Sequence, residues 1–262
     1  MSIIRYSRLA ILFATATLAS ACSDSSTGPR EVQPATLSQA LADLQLTALA
    51  PVSAQLPTVP IASLGAPDPA SCSYDSMSKS FICPNVSVTG ITVTRSFTVL
   101  DATGNPQSQF DQSTTAAVRM KTTFAGTVTT GNSIVAIDQQ QEITLSGLLT
   151  GIHTLNGSSL GHIVGSVAGG TSTVPVNTTI GTTITNLVLP AAGSGANRWP
   201  RSGSVVTTIS NPSGVGGLPA ISITVSITFN GTSKAAVVVT TAGITSRCTL
   251  DLSGQSAMTC AP

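Results

Sequence analysis

Charge is scarce in this 262-residue chain: Asp, Glu, Lys and Arg make up 8% of it, against about a quarter in an ordinary soluble domain. The formal net charge is only +1, and no basic patch interrupts the sequence, which excludes a nucleic-acid-binding surface. Aromatic residues are 3%, with one Trp and two Tyr. That supply is too thin for a stacking platform for bases or sugars, and for the aromatic girdles of a transmembrane barrel. Two His, and cysteines without the short spacing of a zinc site, leave no metal centre and no cofactor expected. No apolar run approaches the roughly 20 residues of a membrane-spanning helix. What is plentiful is hydroxyl and aliphatic surface. Ser and Thr together number 73, and hydrophobic residues are 41%, enough to build a core and unlike a disordered composition.

The first 21 residues read as an export signal. Arg5 and Arg8 are their only charges, and LAILFATATL from Leu9 to Leu18 is a short apolar run. A basic start, a short apolar centre and small residues at the end are the parts of a secretory signal peptide. The small residues are Ala19-Ser20-Ala21, followed by Cys22. This segment resembles the lipobox of bacterial lipoprotein precursors, with Ala19 where the family usually has Leu and Leu18 one place early. The resemblance implies cleavage before Cys22 and its lipidation. Ala19-Ser20-Ala21 also fits the A-x-A site of ordinary signal peptidase, and both readings cut the same bond. Two or more acyl chains, at about 0.8 kcal/mol per buried CH2, give stable anchoring. By the lipoprotein sorting pattern, Ser23 resembles outer-membrane cargo. Removing Arg5 and Arg8 leaves nine Lys and Arg against ten Asp and Glu.

The cysteines stand at 22, 72, 83, 248 and 260. With Cys22 lipidated, the other four fall into two close pairs, Cys72–Cys83 and Cys248–Cys260. Each pair reads as a β-hairpin closed by a disulfide, with loops at Met77-Ser78 and Ser253-Gly254-Gln255. Each bridge closes a loop of about a dozen residues, worth roughly 3 kcal/mol, and an exported protein meets the oxidising conditions it needs.

Five segments follow. Residues 1–21 are the signal peptide and 22–35 a polar tether. In 36–50, Leu37, Leu41, Leu44 and Ala48 form one helical stripe behind Thr36 as N-cap. Residues 51–71 carry prolines at 51, 57, 60, 67 and 69, which predicts an extended linker. From 72 to 262 the chain alternates apolar and hydroxyl residues with period 2, as in 91–99 and 221–229. Asn230-Gly231 turns the second of these into 234–240. Further strands are predicted at 118–124, 133–138, 142–149, 160–168, 174–189 and 203–209, with turns at 101–106, 130–132, 156–157 and 211–217. No helical period separates them. The expected fold class is all-β: a single antiparallel β domain, either a sandwich or a strongly curved, partly closed sheet, preceded by a short helix and a Pro-rich linker. The two Cys hairpins would staple its edges.

Chemistry finds little purchase. Gly157-Ser158-Ser159-Leu160-Gly161 matches G-x-S-x-G, with Ser159 as the candidate nucleophile of a serine hydrolase. Such an elbow needs a strand-to-helix turn, whereas here a turn at Asn156-Gly157 precedes a strand. His153 and His162 flank that turn and could face each other across a hairpin, without a nearby carboxylate. Asp138 and Glu142 share one strand face, with Gln139-Gln140-Gln141 reading as a solvated, bulged stretch. The stretch from Asp101 to Asp111 lacks the spacing of an EF-hand. Arg198-Trp199-Pro200-Arg201 holds the only Trp, either as a contact point for a partner or as a plug at one end of the core with solvated arginines.

No catalytic set emerges, so the expectation is a non-enzymatic envelope lipoprotein. It would be a structural or binding module, held to the outer membrane through Cys22 and meeting a protein, glycan or lipophilic ligand. One alternative is the hydrolase using Ser159. Another is a polysaccharide-binding surface protein, with hydroxyl faces such as Thr92, Thr94 and Thr98.

Overall fold

The computed structural model describes residues 68–169, 172–190, 199–212, 220–253 and 258–260. The signal peptide, tether and helix expected over 1–21, 22–35 and 36–50 lie outside the described residues, as do Cys22, Arg198 and residues 51–67. The end of the expected extended linker is a single 3-10 turn, Pro69–Ser71, capped by the Asp68 carboxylate accepting from the Ala70 amide at 3.0 Å.

Alternation of β-branched and hydroxyl residues produces fourteen strands among the described residues. They are β1 (Ser73–Asp75), β2 (Ser80–Ile82), β3 (Val86–Val88), β4 (Ile91–Asp101), β5 (Pro106–Gln107), β6 (Thr115–Thr130) and β7 (Ser133–Ser146), then β8 (Thr154–Gly169), β9 (Ser172–Val188), β10 (Ser202–Asn211), β11 (Ile221–Phe229), β12 (Lys234–Thr241), β13 (Ile244–Asp251) and β14 (Met258–Cys260). All join one antiparallel sheet in the order β1-β2-β4-β6-β7-β8-β9-β10-β11-β12-β13-β14, and it is not closed into a barrel. β6 pairs with β4 and β7, and from β7 to β13 each strand pairs with the one before and the one after it. The three short strands β2, β3 and β5 divide the other edge of β4 between them.

One rung of directly opposed residues crosses the whole sheet: Tyr74, Phe81, Phe97, Met120, Ile143, Gly157, Ile184, Val205, Ile227, Val237, Cys248 and Cys260. Phe81 stacks on Phe97 with ring centroids 4.8 Å apart. Phe97 on β4 and Val237 on β12 are both fully buried in one apolar cluster. Seven steps of strand order separate them, about 34 Å in a flat sheet at roughly 4.8 Å per step. A flat sheet would leave this face in water, so the sheet curves over its own inner face and covers it. A second cluster, built on Ile91, Val93, Phe124, Ile137 and Ile163, occupies the other end of β4 and β6 to β8.

Both expected disulfides form, Cys72–Cys83 and Cys248–Cys260. They tie the two outermost hairpins, so each terminal edge of the sheet carries one bridge. Cys83 and Cys248 are buried in the same cluster. The bonds indicate an oxidising, exported location. Among the described residues no helix is long and apolar enough to cross a membrane.

Several expectations need correction. The first Cys hairpin keeps the predicted register, but pairing stops at Asp75 and Ser80. The loop is therefore Ser76–Lys79, held by the Asp75 carboxylate accepting from the Met77 and Ser78 amides at 3.1 Å, with Lys79 at φ 52°. The strands expected at 133–138 and 142–149 are one unbroken β7, and Gln139 and Gln141 are buried rather than solvated. Asn156-Gly157 is not a turn. It lies inside β8, where the pairing with β9 shifts register. There a side chain on Gly157 would place Cβ 2.3 Å from the Glu142 carbonyl oxygen, and the Asn156 carboxamide oxygen accepts from the Asn186 amide at 2.7 Å. Gly254 and Gln255 of the second expected loop lie outside the described residues.

Candidate functional site

Both faces of the curved sheet carry a row of polar side chains set by strand register. On the outer face Thr208, Thr224, Thr240 and Thr245 stand directly opposite one another on β10 to β13. Their hydroxyls bond within pairs, Thr208 to Thr224 at 3.3 Å and Thr240 to Thr245 at 3.2 Å. Ser210 faces Ser222 on one side of this ladder, and Val206 faces Ser226 on the other. Charge on this face is confined to β12 and β13, at Lys234, Arg247 and Asp251. Period 2 puts these hydroxyls outward because the alternate positions, Val225, Ile223, Val237 and Val239, are buried.

The inner row is the reverse case. Arg95, Thr122, Gln141, Ser159, Thr182 and Thr207 oppose one another across β4 and β6 to β10. The first four are buried, Thr122 to 1% and Gln141 to 7% relative exposure. Thr182 and Thr207 share a hydroxyl hydrogen bond at 3.2 Å. Thr122 Oγ1 and Gln141 Oε1, on facing residues of β6 and β7, have no hydrogen-bond partner. Burial pushes the Arg95 guanidinium below its ordinary pKa. Residue types alone do not mark this row. Its signal in the sequence is parity: Arg95 falls in step with Val93 and Phe97, and Gln139 and Gln141 in step with Ile137 and Ile143.

No family model, curated protein or solved structure matches this chain. The reading of the site therefore rests on its own geometry.

The sequence-stated candidates scatter. Ser159 lies mid-strand on the inner face, buried, and not on a strand-to-helix turn. His162, three residues on, points to the opposite face, where its Nε2 meets Asn177 Oδ1 at 3.0 Å. His153 precedes β8 while His162 lies within it, so they do not face each other across a hairpin. Burial lowers the His153 pKa. Asp138 and Glu142 do share the outer face of β7. Glu142 pairs with Lys121 at 3.1 Å and Arg119 at 3.8 Å, the cross-strand neighbours that register supplies. Asp101 and Asp111 hold their own turns, accepting from the Thr103 and Ser113 amides at 2.8 Å. Among the described residues no cluster of His, Cys, Asp or Glu suits a metal ion.

Trp199 is half-buried and Pro200 buried, while Arg201 is exposed. The segment is clamped between two parts of the sheet: the Arg201 amide donates to the Val188 carbonyl at 2.8 Å, and the Gly231 amide to the Pro200 carbonyl at 3.0 Å. The Thr92, Thr94 and Thr98 face is not an open array. Thr98 is buried and bonded to Ser80 at 2.9 Å under β2, Thr92 meets Ser87 at 3.3 Å on β3, and Thr94 bonds Thr123. The open hydroxyl face lies on β10 to β13 instead.

Proposed function

We propose that the chain is a non-enzymatic binding module, tethered to the outer membrane through lipidated Cys22, that meets a polyhydroxylated polymer with the outer face of β10 to β13. The observation that supports this reading is the in-register ladder Thr208, Thr224, Thr240 and Thr245. Each hydroxyl can both donate and accept, and a sheet fixes the spacing between them at about 4.8 Å. A polyol surface offers the same two-way hydrogen bonding. Ordered side chains also lower the entropy lost on contact. The Ala19-Ser20-Ala21-Cys22 segment and the polar tether support display at a membrane.

Co-sedimentation of the mature protein with insoluble polysaccharides, cellulose, chitin and peptidoglycan sacculi, tests the binding face. The double change Thr224→Val and Thr240→Val keeps shape and removes two hydroxyls, and is expected to weaken retention on the binding polymer by about tenfold or more. Retention unchanged in that variant would refute the assignment. Metabolic labelling with an alkyne fatty acid tests the anchor: wild type takes up label and Cys22→Ser does not.

A further inference from the structure

We propose that the polymer met by the outer ladder is a neutral pyranose polysaccharide, and that Gly181 on β9 floors a subsite for one of its rings. The subsite rests on the reading of the ladder as the binding face and extends that face by two strands. Gly181 stands directly opposite Thr208, the first residue of the ladder, and opposite Leu160 on β8. The rung therefore runs Leu160, Gly181, Thr208, Thr224, Thr240, Thr245. A glycine inside a strand weakens it, and marks a bulge, a bend or a close approach from outside. Pairing continues without a break on both sides of Gly181, and the register shifts lie elsewhere, at Leu155/Gly157 and Ser202/Ser204. Its φ is not in the left-handed region. Packing does not demand a glycine either. At Gly157, Gly165 and Gly203 an added Cβ would lie 2.0 to 2.3 Å from a carbonyl oxygen of the neighbouring strand, whereas at Gly181 it would meet nothing within 4 Å. That leaves approach by a ligand.

The walls of the gap are of two kinds. Leu160 is 61% exposed and offers hydrocarbon. Thr208 opposite it, and Thr179 and Thr183 on the same face of β9, offer hydroxyls that both donate and accept. Leu160 and Thr208 stand two strand steps apart, about 10 Å, which leaves room between them for a six-membered ring. A pyranose ring brings both matching parts, a C–H face that leaves water against an aliphatic side chain and a rim of hydroxyls. An acyclic polyol has no such face to set on Leu160. The outer positions that adjoin Gly181 on β8, β9 and β10 hold no carboxylate, Lys or Arg. Their one ionisable side chain, His162, is engaged by Asn177 Oδ1 at 3.0 Å. An acidic or basic polymer finds no counter-charge there.

The test is co-sedimentation of the mature protein with cellulose and chitin, and with crosslinked poly(vinyl alcohol) beads as the acyclic polyol. The parent is expected on a polysaccharide, released by its soluble oligosaccharides, and retained about tenfold or more weakly on the beads. Gly181→Val places its side chain in the open gap and suits a strand. It should fold at least as stably as the parent and lose retention about tenfold. Leu160→Ser, at an exposed position, should also weaken retention, and carries the test where Gly181→Val fails to fold. Retention kept in either folded variant, or equal on the beads, would overturn the subsite. If Thr224→Val with Thr240→Val still loses retention in that experiment, the ladder stands without it. Retention kept by the ladder variant refutes the face itself and the subsite with it.

Discussion

The outer ladder and the inner row are built from nearly the same side chains, by the same register, on opposite faces of one sheet. Outside, Thr208, Thr224, Thr240 and Thr245 satisfy one another pairwise and keep access to solvent. Inside, Thr122 Oγ1 and Gln141 Oε1 are buried and bond no protein group. The comparison teaches that burial, more than residue type, decides what a hydroxyl is worth. A wet hydroxyl loses little when removed, whereas an orphaned buried one costs about 1–3 kcal/mol to keep.

The largest expected effect comes from the apolar rung beside the inner row. Phe97→Ala removes a fully buried ring stacked on Phe81 and should lower stability by about 3–5 kcal/mol in denaturant titration. Next is the edge staple. Replacing Cys248 and Cys260 together by Ser opens a bridge with sequence separation 12 and should lower stability by about 3 kcal/mol, and reducing agent should lower the parent protein further because it also opens Cys72–Cys83. Thr122→Val should be neutral or stabilising by about 1 kcal/mol in the ligand-free protein, because an unpaired hydroxyl is exchanged for a methyl of the same shape. A loss of more than 1 kcal/mol would show that the hydroxyl is bonded. Glu142→Gln breaks the exposed pairs with Lys121 and Arg119 and should change stability by less than about 1 kcal/mol, less still at high salt.

The smallest effect is on pH. Hydroxyls of Ser78, Thr103, Ser113 and Ser253, and then turn amides, hold the carboxyls of Asp75, Asp101, Asp111 and Asp251 below their ordinary pKa. A depressed carboxylate adds stability that is present above the unfolded value and lost as pH falls through the folded one. The turns should therefore loosen only below about pH 4. His153, depressed by burial, acts in the same direction at higher pH: its neutral form is favoured, so protonation weakens the fold as pH drops below about 6.5. Amide exchange between pH 7 and 3 separates the two, since His153→Gln removes only the first transition.

Period 2 is a local property, and the chain declares it openly. The strand over 221–229 and the disulfide pairs are legible residue by residue because hydrophobic alternation and cysteine spacing need no knowledge of partners. Asn156-Gly157 misleads for the converse reason. As a dipeptide it favours a turn, yet pairing with β7 and β9 along the full length of β8 outweighs that preference and absorbs it as an irregularity in register. Gln139-Gln140-Gln141 misleads likewise, because Gln sits on the buried parity only once Ile137 and Ile143 fix the face. The Thr ladder is illegible beforehand. Its members lie up to 37 positions apart, from Thr208 to Thr245, and only the pairing of four strands brings them into line.

The central claim, that the outer face works and the inner row does not take part in polymer binding, is tested most directly by making one exchange on both faces. Retention on insoluble polysaccharide is measured for the parent, for Thr224→Val with Thr240→Val, and for Thr122→Val, each checked for folding by denaturation. The account predicts retention lost about tenfold in the outer variant and unchanged in the inner one. Retention kept by the outer variant, or lost in the folded inner one, would contradict it.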